Sequence, residues 1–174
     1  GSLGLLKSVM SEGLSGEGKD LLEIALRNNE SLLRLVNELL DYEKILSGTL
    51  PIETRRHDLC KLITNTLNDF SGYARSQSIE LVFQEAPVPL FAEVQEHRFE
   101  QVLNNLLSNA AKFSDAGTAV EIFIESSGGF IRIGVKDDGP GIPQEFRESI
   151  YEQFTQADSS SARKFSGTGL GLAI

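Results

Sequence analysis

Residues 98–114, Arg-Phe-Glu-Gln-Val-Leu-Asn-Asn-Leu-Leu-Ser-Asn-Ala-Ala-Lys-Phe-Ser, carry two stripes at once. Val102, Leu103, Leu106, Leu107, Ala110 and Phe113 recur at helical spacing and predict one broad face buried against a sheet. Gln101, Asn105, Asn109 and Lys112 follow at intervals of four, four and three, so a helix stacks them along one edge. Asparagine is a mediocre helix former because its amide competes for backbone hydrogen bonds, and Asn104, Asn105 and Asn109 therefore weaken the helix they occupy. Either they are solvated surface residues or something else uses them. Amide oxygens suit a hard cation such as Mg²⁺, which takes its negative charge from substrate phosphates, and Lys112 offers those phosphates a point charge.

The elements before this stretch are read from periodicity. Leu3, Leu5, Leu6, Val9 and Met10 look like the end of an amphipathic helix, and Ser11 to Gly18, with three glycines, like a connecting loop. From about Lys19 to Leu46 a longer helix places Leu21, Ala25, Asn28, Leu32, Leu35, Leu39, Tyr42 and Leu46 at alternating steps of four and three. That is a heptad seam, suited to a hairpin with the first helix and a bundle with a second chain. Ser47-Gly48 ends the helix, Leu50 to Thr54 is a short strand candidate, and Asp58 caps a helix running to about Ser76.

Strand candidates follow at Ile79 to Gln84 and Leu90 to Ala92, then at Ala119 to Ser126 and Phe130 to Asp137, the last two joined by a Gly128-Gly129 hairpin turn. Helices and strands mix without regular alternation. The expected fold class is α+β, a two-layer α/β sandwich with helices on one face of a mixed sheet, preceded by a partial helical hairpin. Residues 1–48 form the hairpin in this reading and 49–174 the sandwich.

A formal net charge of −9 argues against non-specific contact with nucleic acid or anionic lipid, whose phosphates would repel the chain. Cys60 is the single cysteine, so no internal disulfide is possible. No apolar run approaches the roughly 20 residues that span a bilayer, and the start lacks the basic and apolar regions of a signal peptide. A cytoplasmic location without membrane contact is expected for these residues, with an anchor elsewhere in the intact protein left open.

Two glycine-rich segments flank a polar one. Asp137-Asp138-Gly139-Pro140-Gly141-Ile142-Pro143 follows a strand directly, where glycines let backbone approach a ligand and an aspartate can accept a hydrogen bond from an exocyclic amine. Gly167-Thr168-Gly169-Leu170-Gly171 leads into apolar residues and is placed to open a helix whose free N–H groups face phosphate. Between them, Gln153 to Ser166 has few apolar anchors and reads as a lid.

Taken in series, these motifs closely resemble the ATP-binding domain of sensor histidine kinases, within the superfamily that includes DNA gyrase, the heat-shock chaperone ATPases and the mismatch-repair ATPases. Asn105 to Ser114 is similar to the family's N box, Asp137 to Pro143 to its G1 box, Phe154 to its F box, and Gly167 to Gly171 to its G2 box. Leu32 to Leu46 also resembles the second helix of the family's dimerisation and phosphoacceptor hairpin.

The resemblance implies a Bergerat-type ATP-binding fold with ATP and Mg²⁺ as cofactors. Asn109 is then the chief Mg²⁺ ligand with Asn105 assisting, Lys112 meets phosphate oxygens, and Asp137 recognises the adenine amine. Gly139, Gly141 and Ile142 shape the adenine pocket, Phe154 positions the lid, and Gly167, Thr168, Gly169 and Leu170 border the phosphates. The implied reaction moves the γ-phosphoryl group to a histidine and onward to an aspartate of a response-regulator receiver domain, in a homodimer formed through the hairpin. Gln101 presents an amide, which cannot take a proton at neutral pH, so transfer is favoured over hydrolysis.

The family's acceptor, a histidine followed by an acidic residue on the first hairpin helix, has no counterpart here; His57 and His97 do not follow the pattern. The acceptor is expected upstream of Gly1, with a further helix and strand beyond Ile174, so that these residues bind nucleotide without phosphorylating themselves. The alternatives are a superfamily ATPase and a non-catalytic dimerisation scaffold.

Overall fold

The computed structural model describes residues 16–150. It divides into two compact units, one up to Leu50 and the other from Pro51.

Among the described residues the first unit holds helix α1, Gly16–Leu46. It begins inside the segment expected to be a loop. Glu17 in the first turn and Lys44 in the last complement the helix dipole. It stops in a left-handed cap: Gly48 takes a φ of 63°, its N–H donates to Ile45 O, and the Thr49 N–H donates to Lys44 O. Along the heptad seam Leu21, Leu32 and Leu46 are 62%, 59% and 65% exposed, while Ala25, Leu35 and Tyr42 are half-buried.

The second unit opens with β1, Arg55–Asp58, and not with the strand expected at 50–54. It pairs antiparallel with β3, Phe91–Val94, in a two-stranded sheet with His57 opposite Ala92. Arg55-Arg56-His57-Asp58 has no apolar alternation to mark it. What holds it is a long-range partner, with the Arg56 guanidinium 4.6 Å from the centroid of the Phe91 ring.

Helix α2, Leu59–Ser76, starts as expected at Asp58, whose Oδ1 accepts from the Lys61 N–H at 3.3 Å. Leu59, Leu62, Ile63, Thr66 and Leu67 are buried on one face, and the Thr66 hydroxyl is satisfied by donating to Leu62 O. The chain turns away after the helix at Ser78, a residue other than glycine with a positive φ of 58°.

Strand β2, Glu80–Gln84, then runs parallel to β4, Ala119–Ser127, and β4 runs antiparallel to β5, Phe130–Lys136, giving the order β2-β4-β5. Gly128 and Gly129 both have positive φ, which is what a two-residue hairpin turn matched to strand twist demands.

Between β3 and β4 lies α3, Glu96–Phe113. The sheet is one-sided. Val120, Ile122 and Ile124 face the core with Leu103, Leu107, Ala110 and Ala111 of α3 and the buried face of α2. Burying a side chain such as Leu107 or Ile122 stabilises by about 1.5–3 kcal/mol. The opposite face is polar: Lys136 Nζ is 3.1 Å from Glu121 Oε1, Arg132 is 3.0 Å from Glu125 Oε1, and between these pairs the Phe123 ring covers Gly134. The result is the α+β two-layer arrangement, helices on one face of a mixed sheet.

The buried stripe of α3 is narrower than its periodicity predicts. Val102 and Phe113 are 53% and 45% exposed, because they flank the line of Leu103, Leu107, Ala110 and Ala111 that meets the sheet.

Candidate functional site

Because α3 is continuous over Glu96–Phe113, the spacing of Asn105, Asn109 and Lys112 places them along one edge of it. All three are half-buried, at the margin between the buried stripe and solvent. Burial strips water from Lys112 and pulls its ammonium pKa below the ordinary lysine value of 10.5. Its Nζ lies 4.9 Å from the centroid of the Phe113 ring. Gln101, on the same edge, is engaged by Arg98, whose guanidinium donates to Oε1 at 2.7 Å.

The second part of the site is the turn that leaves β5. Asp137 folds back so that its Oδ1 accepts the Gly139 N–H at 2.9 Å, an Asx turn that orients the carboxylate and the following backbone together. Gly139 then passes tightly against the end of α3. A Cβ there would lie 2.9 Å from the Phe113 carbonyl oxygen and 2.7 Å from Asp137 Oδ1, closer than real side chains tolerate. Gly141 adopts a left-handed φ of 72°, which also favours glycine. Ile142 is exposed beyond it, and its carbonyl accepts from Arg147 Nε at 3.3 Å.

The structure thus brings Asp137 and Gly139 to the end of the helix that carries Asn105, Asn109 and Lys112. Phe154, Gly167, Thr168, Gly169, Leu170 and the lid segment lie outside the described residues. Ser114, the last residue of the segment similar to the N box, follows Phe113 at the C-cap, and its Oγ is buried with no hydrogen-bond partner among the described residues.

Chemically, the edge offers two neutral amide oxygens, an ammonium and, across the turn, a carboxylate. Among the described residues no three His, Cys, Asp or Glu side chains converge as metal ligands. The amides alone would hold a hard cation weakly, and they fit one that arrives with its own phosphate oxygens. A separate concavity of about 470 Å³, lined by Asp58, Cys60, Lys61, Thr64, Asn65 and residues 85–89, contains none of these groups. Among the described residues no helix is long and apolar enough to cross a membrane.

Residues 94–174, from the end of β3 through the second glycine segment, match the family described as histidine kinase-, DNA gyrase B-, and HSP90-like ATPase. The sensor histidine kinase TmoS of Ectopseudomonas mendocina is 39% identical over 176 residues, covering 99% of this chain and 18% of that protein. The catalytic domain of the histidine kinase ThkA, solved free of nucleotide, superimposes with a TM-score of 0.60 at 30% identity, covering 70% of this chain and 76% of the domain. Full-length ShkA, solved in complex with AMPPNP, gives a TM-score of 0.75 at 28% identity over 92% of this chain and 33% of that one. The chain spans less than a fifth of the length of the curated relatives it matches.

Proposed function

This chain belongs to the sensor histidine kinases, as their ATP-binding kinase module, and from that membership we propose that the edge of α3 and the 137–143 turn grip Mg-ATP between them. The observation that carries the reading is the seating of Gly139 on the Phe113 carbonyl, which joins the two halves of the site. Bound Mg-ATP supplies the γ-phosphoryl group and the cation that neutralises its oxygens.

In this reading Asn109 gives the chief amide oxygen to the metal and Asn105 assists. Lys112 donates to phosphate oxygens. Asp137 accepts the adenine amine, while Gly139 and Gly141 let backbone approach the ring and Ile142 supplies an apolar wall. Phe154 positions the lid, and Gly167, Thr168, Gly169 and Leu170 border the phosphates. The γ-phosphoryl group passes to a histidine other than His57 and His97 and is relayed to an aspartate of a response-regulator receiver domain. The exposed seam of α1 pairs with that of a second copy.

Calorimetric titration of the purified chain with Mg-AMPPNP tests the reading. Saturable binding should raise the melting temperature, since a ligand at a hundred times its Kd stabilises the native state by about 2.7 kcal/mol. Absence of both heat and thermal shift would overturn it. Steady phosphate release from ATP without an acceptor would assign the site to an ATPase instead.

A further inference from the structure

Gln101 shares the edge of α3 with Asn105, Asn109 and Lys112, and its carboxamide is already engaged. Arg98, three residues earlier, donates from Nη1 to Gln101 Oε1 at 2.7 Å, and both side chains are half-buried. A guanidinium has donors only, so the atom facing it must be the amide oxygen and not the amine. The bond is short and charge-assisted, which makes it stronger than one the same oxygen would accept from water.

The place of Gln101 follows from the direction in which the nucleotide lies. Gly139, in the turn assigned to adenine, is seated on the Phe113 carbonyl at the C-terminal end of α3. Asn109 and Asn105, assigned to the metal, come one and two turns earlier in the helix. A triphosphate that joins them runs toward the N-terminus of α3. Gln101 then stands one turn, about 6 Å, beyond Asn105, at the end where a nucleophile meets the γ-phosphorus. A glutamine in such a place can accept a hydrogen bond from water and aim it at phosphorus. In the hydrolysis that follows, the water oxygen bonds to the γ-phosphorus as the bond to the bridging oxygen breaks. ADP keeps the electron pair, one water proton stays on the phosphate and the other goes to solvent.

We propose that Arg98 is a positioning residue that acts through Gln101 to suppress hydrolysis, by tying up the amide oxygen that would otherwise orient water at the γ-phosphoryl group. This rests on the reading of the α3 edge and the 137–143 turn as the Mg-ATP site.

Steady phosphate release from ATP by the purified chain tests it, without an acceptor and at ATP concentrations that Mg-AMPPNP calorimetry shows to saturate each variant. Arg98→Leu should raise the rate at least about threefold with Gln101 present, and change it less than about twofold in a Gln101→Leu background. Arg98→Leu with Gln101→Glu should run at least about tenfold faster than the parent, because a carboxylate both accepts from water and takes its proton. That rate should fall in acid as the carboxylate protonates, a limb absent from Arg98→Leu alone because an amide does not titrate. Gln101→Glu with Arg98 retained should be slower, with its acid limb at lower pH, since the guanidinium favours the ionised carboxylate and weakens it as a base.

A rate unchanged by Arg98→Leu, or raised equally with and without Gln101, would overturn the proposal. Equal rates and equal acid limbs for Gln101→Glu with and without Arg98 would do the same. Failure of the parent to bind Mg-AMPPNP would remove the site reading and this proposal with it, whereas binding with no change in phosphate release sinks this proposal alone. Should Arg98→Leu melt well below the parent, Arg98→Met takes its place in the series.

Discussion

The backbone of Gly139 packs so tightly against the Phe113 carbonyl that a Cβ at that position would stand 2.9 Å from the oxygen. The contact joins residues that are far apart in sequence and fixes the turn after β5 to the end of α3. A methyl group there meets main chain and the Asp137 carboxylate, neither of which is the loose end of a long side chain. Gly139→Ala should therefore push the turn away from the helix. The expected loss is about 1–3 kcal/mol of stability, typical of overpacking, together with a fall of at least about tenfold in ATP affinity. Denaturant melts and calorimetry on the same samples check both; an unchanged affinity would show that the seat does not position the turn for nucleotide.

Asn109 and Asp137 allow function to be separated from folding. Asn109→Leu removes the amide oxygen at similar volume and improves helix propensity by about 0.5 kcal/mol, so stability should hold or rise while Mg-ATP binding is lost. Asp137→Asn keeps an oxygen to accept the Gly139 N–H, so the Asx turn survives, but it replaces a carboxylate with an amide where the proposed function has an adenine amine accepted. Affinity should fall in both variants at parental melting temperature. Full calorimetric affinity in either would take that residue out of the site.

Much of this was legible in the chain. The helix of α3 was marked by two agreeing stripes, and the hairpin between β4 and β5 by paired glycines at the turn. The order of the asparagine, Asp-x-Gly-x-Gly and Gly-x-Gly-x-Gly segments identified the family. What escaped notice depends on distant partners. Strand β1 exists because Arg55-Arg56-His57-Asp58 lies opposite β3, and its own residues carry no strand pattern. Val102 and Phe113 fit the apolar spacing of α3 yet flank the line that meets the sheet. Periodicity also marks Gly139 only as a flexible position, whereas its requirement is steric and comes from α3.

Ser78 illustrates a local choice against backbone preference. It occupies the left-handed position after α2, with its N–H donating to Arg75 O and the Ile79 N–H donating to Ala74 O, a capping pattern that usually ends on glycine. A side chain in that conformation costs about 1–2 kcal/mol. Ser78→Gly should raise stability by about 0.5–1 kcal/mol, net of the added freedom of glycine in the unfolded chain. A lower denaturant midpoint would contradict this.

Lys112 links the site to pH. Its folded pKa lies below the ordinary value of 10.5 because burial disfavours the charged form. Between those two values the unfolded chain binds more protons than the folded one, so stability contributed by this group rises with pH across the window, and charging it costs stability below it. Lys112→Met should therefore be relatively more stable at neutral pH, with the advantage shrinking as pH climbs toward 10.5. ATP affinity should move the other way, weakening in the parent as the ammonium deprotonates and staying flat in the variant. Denaturant midpoints and calorimetry across that range test both signs, with other alkaline titrations cancelling between parent and variant.

The seam of α1 supplies the last test. Leu21, Leu32 and Leu46 are more than half exposed and Leu39 is 46% exposed, at the four-and-three spacing that knobs-into-holes packing uses. A helix with Glu17 and Lys44 suitably placed at its ends gains a few tenths of a kcal/mol from each, which does not compensate for a row of leucines left in water. A second copy presenting the same row would cover both. Sedimentation of the chain should show a dimer, and Leu32→Asp with Leu39→Asp should give monomers, because each interface would then bury a carboxylate without a partner. Since these leucines lie in the unit that ends at Leu50, nucleotide binding by the unit beginning at Pro51 should survive the change. A parent that sediments as a monomer at every concentration would refute pairing through this face.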